Sequence, residues 1–241
     1  MILPQPLSVD LKGRATPVTA QQEWTRAGLL AAFALVGTGL VAYTHQQTEQ
    51  RIEANERAAL LDRLRRTLPA GSYDNDIADD VVYARAPGRL GSPEAMPVYR
   101  ARSEGRPVAA VLTVVAPDGY NGAIRLLVGV RRDGTVAGVR VVSHQETPGL
   151  GDYIEADKSD WIEQFTGRAL GDPPAERWRV GKDGGAFEAL TGATITPRAV
   201  LGAVRNALIY FRDRRQALFT ADPGTTLAPT PPPTTETPDG R

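Results

Sequence analysis

The sequence predicts an α+β fold, in which a single N-terminal transmembrane helix precedes one domain with an antiparallel sheet and flanking helices. Three observations support this: an uncharged window from 27 to 48, four strand-like runs between 96 and 144, and a long amphipathic helix near the C-terminus. The predicted boundaries are an N-terminal tail at 1–26, a transmembrane helix at 27–47, a juxtamembrane helix at 48–71, a folded domain at 72–220 and a disordered tail at 221–241.

The first predicted element is the membrane span, centred on "AGLLAAFALVGTGLVAY". These residues would form a helix roughly 26 Å long, close to the hydrocarbon thickness of a bilayer, with Trp24 and Tyr43 near its two interfaces. A signal peptide is disfavoured because no small-x-small cleavage site lies around Ala42. We therefore expect one uncleaved anchor. Basic residues flank it on both sides, so charge alone leaves its orientation open.

A charged amphipathic helix, "TEQRIEANERAALLDRLRRTL", follows the span and should end at the Pro-Ala-Gly of 69–71. The next four runs are typical of strands: "MPVYRAR", "VAAVLTVVA", "AIRLLVGVRR" and "GTVAGVRVVSH". Glu-Gly or Asp-Gly turn signals punctuate this region at 104–105, 118–119 and 133–134. The pattern predicts an antiparallel meander.

The remaining elements are two helices, a loop and a tail. "SDWIEQF" predicts a short helix capped by Ser159, and the Pro- and Gly-rich stretch 171–185 predicts a loop. Apolar residues at three- and four-residue spacing predict a helix from Pro197 to about Phe219, with Thr196 as its N-cap. The Pro/Thr-rich segment beyond Thr220 cannot bury a core and predicts disorder.

Composition excludes several function classes. With 28 basic and 28 acidic residues the chain has no net field to attract nucleic acid. It has no cysteine and two histidines, which excludes disulfides, thiolate catalysis, Fe–S clusters and a multi-histidine metal centre. His144 and Glu146 lack an accompanying nucleophile, so hydrolase chemistry is disfavoured. We predict neither catalytic residues nor metal ligands.

Two segments are candidates for ligand binding. In "HQETPGLGDY", residues 144–153, the glycines after a strand would let a flat or anionic ligand approach the backbone, although composition alone favours an ordinary turn. In "TGATIT", residues 191–196, a phosphate on Thr194 would meet the unpaired amides of the following helix. Gly192 and Ala193 leave room for a bulky group there. An ordinary capping turn would not require them.

These segments, together with "APDGYNGAIRLLVGV" and "KDGGAFEAL", closely resemble a family of FMN-binding domains. The resemblance is closest to the G subunits of Rnf-type ion-translocating electron-transport complexes, which are related to the C subunit of the sodium-pumping NADH:quinone oxidoreductase. It extends from the anchor to the end of the last helix. It implies a membrane-anchored flavoprotein that relays electrons in a complex coupling NAD(H) and ferredoxin to ion translocation.

The resemblance also implies a cofactor and its site. FMN would be attached through a phosphoester to Thr194 by a flavin transferase, with Thr191, Gly192 and Ala193 forming the rest of the acceptor motif. The family has Asp three residues before the first Ser/Thr, whereas this chain has Glu188. The predicted flavin contacts are completed by a set from two other segments: Glu146, Thr147, Gly149, Leu150 and Lys182.

The family's folded domain faces the periplasm, which implies a cytoplasmic tail at 1–26 and a single pass through the bacterial inner membrane. The implied partners are the membrane, the other subunits of the complex and the transferase. Two alternatives remain at this stage. One is a membrane-anchored adaptor without redox activity, and the other is a flavin carrier for a different periplasmic reductase.

Overall fold

The structure is a computed structural model that describes the backbone of residues 20–227 and the side chains of 28–45, 51–52 and 54–227. The chain divides between Asn55 and Glu56 into two compact units. Most of the predicted N-terminal tail and the residues beyond 227 lie outside the described part.

Helix α1 runs from Ala20 to Thr67 and contributes to both units. In the first unit, the window Gly28–His45 has a mean hydropathy of 1.5 and all of its side chains are exposed. Its length and composition fit one membrane span. The predicted span and the predicted juxtamembrane helix form one continuous helix, because no helix-breaking residue separates them before Pro69.

The second unit is built on a six-stranded sheet with the order β5-β4-β3-β2-β1-β6. Four consecutive strands form the predicted antiparallel meander, which is confirmed. The strands are β1 (Val81–Ala84), β2 (Met96–Ser103), β3 (Arg106–Ala116), β4 (Ile124–Arg131), β5 (Val136–Ser143) and β6 (Thr226–Leu227).

Helices cover both faces of this sheet, as the α+β prediction requires. Helix α3 (Ile195–Thr220) buries one side against the larger core, together with the short helix α2 (Pro87–Leu90). Leu64 and Leu68, at and just beyond the C-terminal end of α1, belong to a smaller core on the opposite face. Short 3-10 helices at Gly151–Ile154, Asp160–Phe165, Ala175–Arg177 and Gly181–Asp183 occupy the segment between β5 and α3.

Two glycines let the end of α1 approach the sheet closely. Gly129 and Gly138 pair across β4 and β5. A Cβ added to Gly138 would lie 2.7 Å from the carbonyl oxygen of Thr67, and one added to Gly129 would lie 2.9 Å from the same atom. The backbone of α1 therefore rests on a patch of the sheet that bears no side chains.

The predicted cap of the last helix is wrong by two residues. Helix α3 begins at Ile195 and its N-cap is Thr194, so Thr196 lies inside the first turn. The hydroxyl of Thr196 donates to the Glu146 carboxylate instead of capping the helix. Pro197 is tolerated at the third helical position because its missing N–H would have no intrahelical partner.

The disordered tail does not begin at 221 as predicted. Residues 221–227 are held by the backbone: the N–H of Gly224 donates to the carbonyl of Val81 at 2.7 Å, and β6 pairs in parallel with β1. The buried Arg100 also donates to the carbonyl of Ala221 at 2.5 Å. The amino-acid composition of the tail could not predict the pairing of β6 with β1, because backbone groups form these hydrogen bonds and nearly every residue type carries them.

Candidate functional site

Three loop segments meet around a cavity of about 310 Å³ at the start of α3. The first segment follows β3, the second follows β5, and the third leads directly into α3. Strands β3 and β5 both pair antiparallel with β4, so the turns that follow them lie at the same edge of the sheet although they are distant in sequence. The lining residues are Tyr120, Glu146, Thr147, Leu150, Gly151, Gly192, Ala193, Thr194, Ile195 and Thr196.

Glu146 connects the three segments through its buried carboxylate, which is 4% exposed. It accepts hydrogen bonds from the backbone N–H groups of Tyr120 at 3.3 Å and Asn121 at 3.0 Å, and from the hydroxyl of Thr196. Its own backbone N–H donates to Nδ1 of His144 at 3.0 Å. The carboxylate is therefore a structural tie between the turn after β3, the turn after β5 and the first turn of α3.

Glycines bring the walls of the cavity close together. Gly192 has a φ of 80°, which a side chain rarely adopts, and a Cβ there would lie 2.7 Å from Cδ2 of Leu150. Gly151 faces Glu146, and an added Cβ would lie 2.9 Å from the Cβ of that residue. The backbone conformation of Gly192 and its contact with Leu150 thus favour glycine at this position beside the turn after β5.

Thr194 is half-buried, lines the cavity and lies at the N-terminus of a long helix. It is the N-cap of α3, but its side chain makes no capping hydrogen bond. The first-turn amides of α3 have no intrahelical acceptor, and the helix dipole favours negative charge at this end. A phosphate ester on Thr194 would lie beside these donors.

A cluster of ion pairs stabilises the turn after β5. Lys158 contacts Glu155 at 2.6 Å and Asp152 at 3.0 Å, and His144 Nε2 lies 2.8 Å from Glu155. Hydrogen bonds from Lys158 lower the pKa of both carboxyl groups, and those two groups raise the pKa of Lys158. The cluster holds the first 3-10 helix against the strand end.

Exposed apolar side chains surround the cavity mouth. Tyr120, Leu150 and Ile195 line the cavity and are 63%, 41% and 45% exposed. Large apolar groups at this exposure are suited to covering a flat, partly apolar ligand.

The structure brings six of the predicted contact residues into this lining: Glu146, Thr147, Leu150, Gly192, Ala193 and Thr194. Three others lie elsewhere. Thr191 lines an adjacent hollow, Gly149 occupies the turn with a φ of 77°, and Lys182 lies exposed in the 3-10 helix Gly181–Asp183.

The sequence prediction missed three lining residues, namely Tyr120, Ile195 and Thr196, whereas Gly151 belongs to the predicted ligand-binding turn at 144–153. A signal existed for Tyr120, because it lies in "APDGYNG", a stretch that carries the family resemblance. The position of Ile195 and the inward hydroxyl of Thr196 depend on where α3 begins, which the capping pattern misplaced.

Comparisons with known proteins agree with this geometry. A family model described as an FMN-binding domain matches residues 119–209, and one described as the RnfG N-terminal region matches residues 24–66. The first match contains every lining residue of the cavity, and the second contains the apolar window of α1.

Curated relatives match most of the chain. It is 48% identical over 191 residues to the G subunit of the ion-translocating oxidoreductase complex of Vibrio atlanticus, covering 79% of this chain and 91% of the relative. The protein of the same name from Pseudomonas aeruginosa is 52% identical over 191 residues, with 79% and 89% covered. That of Shewanella baltica is 47% identical over 191 residues, with 79% and 90% covered.

Proposed function

This chain belongs to the family of G subunits of ion-translocating oxidoreductase complexes, and from that premise we propose that it is a membrane-anchored electron relay with FMN joined to Thr194. Within its complex it would pass electrons along a route between NAD(H) and ferredoxin that is coupled to ion movement. A flavin transferase would attach the cofactor, and the folded domain would lie on the periplasmic side of the inner membrane.

The observation that carries the proposal is the position of Thr194. It lines the cavity at the N-terminus of α3, and its hydroxyl is not used as a cap. The other two threonines of the lining make side-chain hydrogen bonds: Thr196 donates to Glu146, and Thr147 accepts from Asn121 at 3.1 Å. Thr194 is the lining threonine whose hydroxyl has no hydrogen bond within the described part of the chain, which supports it as the site of the ester.

The attachment is a phosphoryl-group transfer. The Thr194 oxygen would form a P–O bond to the phosphorus of the flavin's phosphate, and its proton would pass to a base of the transferase. Because esterification in water requires an activated phosphate, the donor would be a flavin dinucleotide, whose anhydride bond breaks and releases a nucleoside monophosphate. The two non-bridging oxygens of the resulting diester share one negative charge and would face the α3 amides.

The cavity residues would hold and orient the group. When bound, FMN supplies the one- or two-electron chemistry, and the protein supplies attachment, orientation and electrostatics. The first-turn amides would bind the phosphate, whereas Leu150, Ile195 and Tyr120 offer apolar surface to the ring. Glu146 keeps these walls together through its three hydrogen bonds.

Substitution of the acceptor tests the proposal. Co-expressed with a flavin transferase, the wild-type chain should fluoresce under ultraviolet light after denaturing electrophoresis, and Thr194→Val should not. Thr220→Val is the matched control, because Thr220 lies at the opposite end of α3 and its hydroxyl donates to the carbonyl of Gln216. Fluorescence that persists in Thr194→Val would contradict the assignment.

A further inference from the structure

Two side chains from one short helix hold the peptide groups on both sides of Glu188. Nε1–H of Trp161 donates to the carbonyl of Glu188 at 2.7 Å, and the N–H of Glu188 donates to Oε1 of Gln164 at 2.7 Å. Nε2 of Gln164 donates to the carbonyl of Trp161 at 2.9 Å, which orients the amide so that its oxygen faces Glu188. We name this arrangement the Trp161–Gln164 clamp.

A helix cap and aromatic packing hold the residues of the clamp in place. Ser159 caps the 3-10 helix Asp160–Phe165 by accepting from the N–H of Trp161 at 3.2 Å. The indole of Trp161 is 6% exposed and meets Phe165 edge-on at 5.6 Å. Phe165 stacks in turn on Phe187 at 5.2 Å, so the residue before Glu188 is anchored in the same aromatic cluster.

The clamp fixes the backbone and leaves the Glu188 side chain accessible. Phe187 and Leu190 are buried, whereas Glu188 and Thr191 are exposed. Across the residues with described side chains, the Glu188 carboxylate has neither a hydrogen bond nor an ion pair. An immobile backbone with an unpaired charged group is suited to recognition by a second protein, because little conformational entropy is lost on binding.

The space beside the clamp is acidic. An open hollow of about 620 Å³ adjoins it and reaches Thr191, the first residue of the acceptor motif. The charged residues in its lining are Asp160 and Glu188, both acidic. A partner that enters here would present basic groups or a metal ion.

We propose that Trp161 and Gln164 are positioning residues for covalent attachment of the flavin. They hold the segment from Glu188 to Thr194 in one conformation, so that the transferase binds a preformed acceptor loop. This inference rests on the proposed attachment at Thr194. It adds two residues outside the acceptor motif whose function is to present that motif rather than to contact the flavin.

The test compares two buried tryptophans of the same aromatic cluster. Trp161→Phe removes the donor to Glu188 while keeping a ring. Trp178→Phe is the matched control, because Trp178 packs on Phe187 but its Nε1–H donates to the carbonyl of Pro173 at 3.0 Å instead of to Glu188. Full-length chains in detergent would be incubated with a purified flavin transferase and flavin dinucleotide, and initial rates of flavin incorporation measured against acceptor concentration.

We expect kcat/KM to fall about five- to tenfold in Trp161→Phe and in Gln164→Ala, with most of the change in KM, because a lost hydrogen bond loosens the docking loop. Trp178→Phe should react at the wild-type rate. Hydrogen exchange at the Glu188 amide should accelerate in Gln164→Ala and stay unchanged in Trp178→Phe.

The outcomes separate this inference from the proposed function. Wild-type rates in Trp161→Phe and Gln164→Ala would overturn the clamp while leaving Thr194 as the acceptor. Equal losses in Trp161→Phe and Trp178→Phe would also overturn it, since they would reflect general destabilisation. A wild-type chain that accepts no flavin would overturn the proposed attachment, and the role of the clamp with it.

Discussion

At the scale of the residue, Glu146 was predicted to contact the flavin, and in the structure its carboxylate also joins three protein segments. Its carboxylate accepts three hydrogen bonds, from Tyr120 and Asn121 in the turn after β3 and from Thr196 in the first turn of α3. A carboxylate in this position can only accept, and all three of its neighbours donate. The match between donors and acceptor explains why an acid can be buried here without a cationic partner in the cavity lining.

We predict that Glu146→Gln lowers the free energy of unfolding by about 1–3 kcal/mol, because the new amide directs N–H groups at donors. Glu163→Gln is the control, since Glu163 is half-exposed and pairs with Arg140 at 2.8 Å, an interaction of about 0–1 kcal/mol. Urea unfolding followed by tryptophan fluorescence measures both. Equal stabilities for the two variants would show that Glu146 is not the tie described above.

The residue scale also shows what the sequence could and could not predict about the site. Gly192 and Leu150 were predicted from composition and resemblance, and the structure brings them into contact across the cavity. Thr196 was assigned a capping role because a Thr-Pro pair before an amphipathic helix is the usual signature of a cap. The competing partner, Glu146, is 50 residues away, and no local pattern contains it.

At the scale of the element, the contact between α1 and the sheet depends on the absence of side chains. Gly138→Ala should lower the free energy of unfolding by about 1–3 kcal/mol, because the new methyl group would lie 2.7 Å from the carbonyl of Thr67. Gly202→Ala provides the opposite case. It lies inside α3, nothing stands within 4 Å of an added Cβ, and alanine favours helix by about 0.5–1 kcal/mol.

Urea titrations of the two alanine variants beside the wild-type chain check this prediction. The expected order is Gly138→Ala below wild type and Gly202→Ala above it. A Gly138→Ala variant as stable as the wild-type chain would contradict the prediction. It would show that the end of α1 can move away from the sheet without loss of stability.

Elements with a repeating pattern were predicted, as was the short helix Asp160–Phe165 because of its Ser159 cap, whereas three other short elements were not. The meander and α3 extend over several turns or alternations, so periodicity identified them. Strand β1 has four residues, α2 has four and β6 has two. Segments of this length show no period, and partners elsewhere in the fold stabilise them. Arg100, for example, donates to the carbonyl of Ala221 at 2.5 Å, in the segment that leads to β6.

At the scale of the whole molecule, the apolar window of α1 leads to a prediction about topology. With the folded domain outside the cytoplasm, protease added to intact spheroplasts should digest residues after the span and leave a small membrane-bound fragment. Spheroplasts lysed before digestion provide the reference, and a cytoplasmic protein in the same preparation reports their integrity. A domain that survives until lysis would reverse the proposed orientation.

The pairing of β1 with β6 has a consequence for the order of folding. The strand that completes the sheet comes from the end of the described chain and joins one from near the beginning of the domain. Contacts between residues so far apart in sequence form late, because a long loop must close first. Until then β1 is an open edge, whose unpaired amides and carbonyls can recruit another chain. In the folded protein residues 224–227 cover part of this edge, because Gly224 and β6 pair with the backbone of β1.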